Sequence, residues 1–226
     1  MLDTYKFIEK YKRISIIGME KNVGKTTLLN KLIADIGKTK KLGLTSIGRD
    51  GEDIDVVTNT DKPRIYVRKG SIIATGRNCL AKCDITKEIL YVTDFTTPMG
   101  SIVLIRALSD GYVDIAGPSY NKQVKIIVEL MEKFGSEISI VDGALGRKST
   151  AISDVSEATI LSTGAALSLD MLKVVEETKK TVYFLRLEEI DKNIKEKIKE
   201  FKDEKAVLFY KNGEVAILEV DNSIDL

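Results

Sequence analysis

The sequence predicts an α/β fold in which crossover helices wind around a mostly parallel sheet, with a β-rich insertion at about residues 60–116 and a C-terminal β-hairpin. Two observations carry that expectation. Short apolar runs at Ile14–Ile17, Leu42–Ser46, Ile138–Val141 and Ala158–Leu161 alternate with stretches whose apolar residues recur at helical spacing, the pattern of repeated βαβ units. The first of these runs also passes through a short glycine-containing turn straight into an amphipathic helix. With 226 residues and 43% hydrophobic content, the chain can bury an ordinary core without staples and suits one domain over residues 1–226.

A short amphipathic helix is expected from Leu2, Phe7, Ile8 and Tyr11 before the first strand. The helix after the turn carries Leu28, Leu29, Leu32, Ile33 and Ile36 and should stop at Gly37. Leu42–Ser46 reads as the second strand and leads into a carboxylate-rich loop over residues 47–55. Residues 64–75 alternate as two short strands around Lys69-Gly70, and further strands are expected at Glu88–Asp94, Ser101–Arg106 and Tyr112–Ile115. Val124, Ile127, Val128, Met131 and Phe134 mark a helix from Asn121 that Gly135 ends. Strands at Ala158–Leu161 and Val182–Leu185 should flank a helix through Met171, Leu172 and Val175. Ile190, Ile194, Ile198 and Phe201 give one more amphipathic helix, and an Asn212-Gly213 turn closes a hairpin between Ala206–Tyr210 and Glu214–Val220.

The turn at Gly18-Met-Glu-Lys-Asn-Val-Gly-Lys-Thr-Thr27 is the most informative segment. Where a chain leaves a buried strand and begins a helix, successive backbone N–H groups converge and the positive end of the helix dipole faces any anion that enters. Residues 18–27 therefore read as a P-loop for a nucleoside triphosphate. Gly18, Glu20, Lys21, Asn22, Val23 and Gly24 form its wall, Lys25 reaches the β- and γ-phosphates, and the Thr26 hydroxyl, followed by Thr27, sits where such loops place a Mg²⁺ ligand. Five residues rather than four separate Gly18 from Gly24, with Met19 at the usual glycine position.

Asp142 leaves the Ile138–Val141 strand and is followed by Gly-Ala-Leu-Gly146. A carboxylate at that end of a buried strand, with small residues beyond it, is a Mg²⁺ ligand direct or through water, or else a turn cap. Arg147 and Lys148 either neutralise charge on a transferred phosphoryl group or form a solvated surface. In the acidic loop, Asp50 or Asp53 is the further metal or water-orienting carboxylate, Asp50 being nearer the strand end, and Arg49 is placed to meet a phosphate or an acidic substrate. The turn Thr163–Ser168 either frames the base or another anion or is a tight β–α connection. No Asn-Lys-x-Asp stands at a strand end, which favours ATP over GTP.

The balance of 35 basic and 34 acidic side chains, a net charge of +1, gives no global field for nucleic acid or an anionic membrane. No apolar run reaches the ~20 residues that span a bilayer, and the N-terminal residues lack a signal pattern, so a cytoplasmic location is expected. The chain has no histidine, which excludes His-based acid–base catalysis, Ser-His-Asp hydrolysis and His-containing metal sites. Cys79 and Cys83 would share one face of a helical segment and read as reduced thiols, with a redox or zinc-bridging role as the alternative. A symmetric homodimer is the default assembly.

The glycine spacing of the loop and the later Asp142-Gly-Ala-Leu-Gly146 resemble the SIMIBI branch of P-loop proteins, in particular dethiobiotin synthetase and its relatives. The resemblance implies Lys25 on the phosphates and Thr26 and Asp142 on magnesium, with Asp50 or Asp53 as the middle acidic ligand. The signature lysine of the MinD-type relatives would fall at Glu20, whereas Lys21 lies one position later. More closely, Ser15–Thr27, Leu44–Asp53, Lys62–Val67, Arg106–Gly111, Ala116–Ser119 and Asp142–Ser149 resemble the P-loop subunit of the lysine 5,6-aminomutase reactivating system. That resemblance implies an Mg-ATPase (a hydrolase) that restores an adenosylcobalamin-dependent aminomutase together with a companion ATPase subunit. The alternative is a small-molecule ligase or kinase of the dethiobiotin synthetase type, with its acceptor held near Arg49.

Overall fold

The structure, a computed structural model, describes residues 8–48, 54–55, 60–61, 64–143, 155–187, 190–204, 206–210 and 212–218. Its central element is a seven-stranded sheet built from β1 (Arg13–Gly18), β2 (Leu42–Ser46), β6 (Ile72–Gly76), β7 (Lys87–Thr97), β8 (Gly100–Ala107), β10 (Ile138–Asp142) and β11 (Ala158–Ser162). The strand order is β11-β1-β10-β2-β6-β8-β7. The first five run parallel, and β8 and β7 are added antiparallel. The expected α/β class with a mostly parallel sheet is therefore present.

Both faces of the inner strands β1, β10, β2 and β6 are buried, as parallel strands require. Ile14, Ile16, Ile138 and Ile140 pack on one side with Leu29, Leu32, Ile33 and Ile36 of helix α1 (Lys25–Ile36). On the other side Val141, Ala74, Ile102 and Leu104 meet Val124, Ile127, Val128 and Met131 of helix α2 (Asn121–Lys133). The period-two alternation of each strand thus feeds two separate cores. Arg13 locks α2 to the edge of β1 with a bidentate pair to Glu132, at 2.6 and 2.8 Å.

The middle of the chain is β-rich, but most of it extends the main sheet. The two strands around Lys69-Gly70 do not pair with each other: β5 (Ile65–Val67) forms a small antiparallel ribbon with β9 (Gly111–Val113), while β6 joins β2 and β8. The β5 ribbon lies along α1, where the Asn30 side chain accepts from the Tyr66 amide at 3.2 Å and donates to the Arg64 carbonyl at 3.4 Å. A further pair, β3 (Ile54–Asp55) with β4 (Thr60–Asp61), is antiparallel. Cys79 lies within a 3-10 turn over Arg77–Lys82 and Cys83 follows it, and both are free and buried. Burial raises the Cys83 thiol above its ordinary pKa, which disfavours a reactive thiolate there.

One element differs in kind from expectation. Residues 182–185 are not a strand; they form the last turn of helix α3 (Met171–Leu185). Val-Tyr-Phe-Leu has high β propensity, but it continues the helical register begun at Met171, and a strand forms only where a neighbour offers its ladder. The expected helix at the start of the chain lies mostly outside the described residues, though Ile8 is buried in the α1-side core.

Contacts divide the chain into two compact units, Met1–Thr178 and Lys179–Leu226. In the second, helix α4 (Lys192–Ile198) is capped by Asp191, whose carboxylate accepts from the Asn193 amide at 2.8 Å. It faces the hairpin of β12 (Val207–Phe209) and β13 (Val215–Ile217) across an apolar cavity of about 490 Å³ lined by Ile194, Ile198, Phe201 and Phe209. The hairpin turn is the expected one, with Gly213 at φ 89° and the Asn212 side chain accepting from the Glu214 amide.

Candidate functional site

The β1–α1 connection has the backbone that its glycines predict. Gly24 caps α1 in the left-handed region (φ 86°, ψ 14°), which glycine adopts without strain, and Asn22, a residue type that also tolerates this region, has positive φ at 59°. Gly24 brings no side-chain cap, and no acidic residue stands in the first turn of α1. The donors that begin a helix are here without a carboxylate of their own. Val23 turns inward and is buried, while Glu20, Lys21, Asn22, Gly24 and Thr27 are exposed and Lys25 and Thr26 are partly so.

Lys25 folds back over the loop. Its Nζ donates to the Glu20 carbonyl at 3.2 Å, and a Cβ placed on Gly18 would lie 2.8 Å from that same Nζ and 2.7 Å from Val23 Cγ2. Gly18 thus leaves room for the close passage of Lys25 and Val23 over the strand end. The result is an ammonium held over the β1–α1 loop by the Glu20 carbonyl.

Asp142 stands one strand away. In the register of the sheet it lies opposite Ile16 of β1 on one side and Ser46 of β2 on the other. Main-chain bonds tie the three strand ends together: the Gly143 amide donates to Ile16 and the Ile47 amide to Asp142. The Asp142 Oδ1 atom is buried without a hydrogen-bond partner. Desolvation pushes the carboxyl up to about 6, only partly offset by the positive charge of Lys25. A buried carboxylate oxygen with no donor, under the field of the loop lysine, has the chemistry of a ligand for a small hard cation. The turn that Asp142 would otherwise cap lies beyond Gly143, outside the described residues.

Of the expected site residues, the structure brings Gly18, Glu20, Lys21, Asn22, Val23, Gly24, Lys25, Thr26 and Thr27 to the same edge of the sheet as Asp142. Arg49, Asp50, Asp53, Arg147 and Lys148 lie outside the described residues. Among the described residues no group of three metal-ligating carboxylates or thiols occurs, so Thr26 and Asp142 are the candidate cation ligands described. The Thr163–Ser168 turn is a β–α connection whose strand end touches the loop: the Met19 amide donates to the Ser162 carbonyl at 2.9 Å.

Sequence reading from single residues missed the wall on the far side of Asp142. Residues 114–118 are fastened across the ends of β2 and β6 by hydroxyls. Thr75 donates to the Asp114 carbonyl and accepts from the Ala116 amide, both at 2.9 Å, and Ser46 Oγ accepts from the Gly117 amide at 2.9 Å. The approach is so close that a Cβ on Gly117 would fall 1.8 Å from the Ser46 carbonyl oxygen. Gly48, at φ 61°, then donates to the Pro118 carbonyl. The sequence signals were Gly117-Pro118 directly after an expected strand and the place of Ala116–Ser119 among the segments that carry the resemblance.

Comparison of the chain with known proteins finds no matching family model, no matching curated protein and no matching solved structure. Among the described residues no helix is long and apolar enough to cross a membrane.

Proposed function

We propose that the chain is a Mg-ATP-binding P-loop NTPase whose hydrolytic cycle acts on a protein partner, an adenosylcobalamin-dependent aminomutase served jointly with a companion ATPase subunit. The observation that carries the nucleotide site is the pairing of two features at one sheet edge. They are the uncapped start of α1, with Lys25 folded over Gly18 and Glu20, and the buried, donor-free carboxylate oxygen of Asp142 on the adjacent strand.

In this reading the amides of residues 22–26 and the Lys25 ammonium bind the phosphate chain. Thr26 and Asp142 hold Mg²⁺, with Asp50 or Asp53 as a further ligand and Arg147 as a charge-neutralising group. Mg²⁺, when bound, supplies neutralisation of the phosphate oxygens. Lys25 would exchange its bond to the Glu20 carbonyl for phosphate oxygens, and Asp142 would present its donor-free oxygen to the ion. Partner selection lies in the loops that follow β2 and β10, through differential affinity for two nucleotide states.

The partner and the cobalamin chemistry rest on the resemblance of the sequence motifs alone. The test is to add the chain, ATP and the companion subunit to a stalled cobalamin aminomutase. Recovery of mutase turnover that is lost in the Lys25→Ala variant is expected; no recovery with all components present contradicts the partner assignment. Strong stimulation of ATP turnover by a small carboxylate or amine, without protein partner, would instead point to a ligase or kinase.

A further inference from the structure

Glu20 is the one acidic residue between Gly18 and Thr27, and both its carboxylate and its carbonyl are bonded to donors of the same loop. Oε1 accepts from the Lys21 amide at 2.9 Å, and the carbonyl accepts from the Lys25 ammonium at 3.2 Å. A carbonyl is common to every residue type at this position, so what glutamate adds is the carboxylate. Glu20 is exposed, and neither it, Lys21 nor Lys25 belongs to an ion pair among the described residues. Its charge is therefore not cancelled by a salt bridge there.

The bond to the Lys21 amide fixes where that charge stands. One residue of chain spans at most about 3.6 Å, so a carboxylate oxygen 2.9 Å from the Lys21 nitrogen lies within about 7 Å of the Asn22 nitrogen. An anion bonded to the amides from Asn22 onward sits beside it, at a separation that physiological salt screens only in part. Residues 18–27 carry Glu20, Lys21 and Lys25, a net charge of +1, which removal of the carboxylate would raise to +2. A loop suited to bind phosphates thus holds a like charge against them.

We infer that the Glu20 carboxylate is an autoinhibitory group of this loop: it takes up the Lys21 amide, and its charge opposes the entry of a phosphate chain toward Lys25 and the amides that follow. This role rests on the P-loop reading and sets how tightly that site takes its ligand.

Isothermal calorimetry with Mg-ATP at low and at high salt tests it on the full-length native chain, Glu20→Gln and Glu9→Gln. Glu9 is exposed and has no bond to the loop, so its variant makes the same change in net charge elsewhere. Glu20→Gln is expected to bind about three- to five-fold more tightly than the native chain at low salt, with most of the gain lost at high salt and Glu9→Gln unchanged. In the nucleotide-free protein, hydrogen exchange at the Lys21 amide should be faster in Glu20→Ala than in the native chain, with both folded by circular dichroism.

Binding by the native chain that Glu20→Gln only equals or weakens overturns the role and leaves the P-loop reading standing. A gain shared by Glu9→Gln overturns it too, as does an unchanged exchange rate at Lys21. Binding that appears only once Glu20 is replaced supports both the role and the site. Absence of binding by the native chain and by Glu20→Gln alike removes the P-loop reading and the role with it.

Discussion

Two β–loop–α units of the same sheet, β1–α1 and β11–α3, begin from similar sequence patterns and end in opposite states. In the first, four apolar residues of α1 are buried between the sheet and the β5 ribbon; in the second, none is buried. Their N-termini differ as well. Asp170 supplies α3 with a carboxylate that accepts from the Leu172 amide at 2.9 Å, so that helix start answers its own donors. Gly24 supplies α1 with nothing but a left-handed turn. The comparison separates two properties that periodicity alone merges: a helix becomes part of a core only where another element covers it, and its first amides stay free of the chain's own side chains only where a cap is withheld.

The burial half of the comparison is the easiest to break. Ile33 is fully buried in α1 and Val175 is 43% exposed in α3. Ile33→Ala is expected to lower the unfolding free energy by about 2–5 kcal/mol, and Val175→Ala to stay within about 0.5 kcal/mol when measured on dilute monomer. Denaturant titration of the two variants reads both. Equal losses would mean that α3 is covered in the isolated chain.

The electrostatic half is sharpened at Asp142. Its carboxyl titrates at about 6 in the folded protein against an ordinary 3.8, so between those values the folded state holds a proton that the unfolded state has released. The unfolding free energy of the ligand-free chain therefore falls as pH rises through this window, and the full cost is present above it. Asp142→Asn removes the charge and should be more stable than the native chain at pH 8, by up to about 3 kcal/mol, with the difference vanishing near pH 4. Chemical denaturation across pH measures this. A less stable Asn variant at pH 8 would show that the carboxylate has a stabilising partner instead.

A smaller effect separates the two helix starts. Asp170→Ala deletes the cap of α3 and is expected to cost about 1 kcal/mol, leaving nucleotide affinity unchanged by titration. Loss of affinity would place the β11–α3 turn inside the nucleotide site.

Much of this architecture was legible because it is local. The β1–α1 junction, α2 with its Gly135 stop, β10 ending at Asp142 and the Asn212-Gly213 hairpin each announce themselves within a dozen residues. What was not legible is what depends on distant partners. The Val182–Leu185 run satisfies strand propensity, yet it continues a helix, since propensity cannot say whether a free ladder is available. The clamp of residues 114–118 on Ser46 and Thr75 joins segments about 40 and 70 positions apart through single hydroxyls, for which no periodic pattern exists. The assignment of β6, β8 and β7 to the main sheet likewise rests on pairing between segments whose alternation is the same as that of an independent insertion.

Isothermal calorimetry of the intact chain with ATP and Mg²⁺, alongside its Lys25→Ala variant, tests the central claim most directly. The account predicts saturable binding to the native chain and an affinity about a hundred-fold lower in the variant, both proteins remaining folded. Absence of heat from any nucleoside triphosphate with the native chain, or equal affinities for the two proteins, would contradict it.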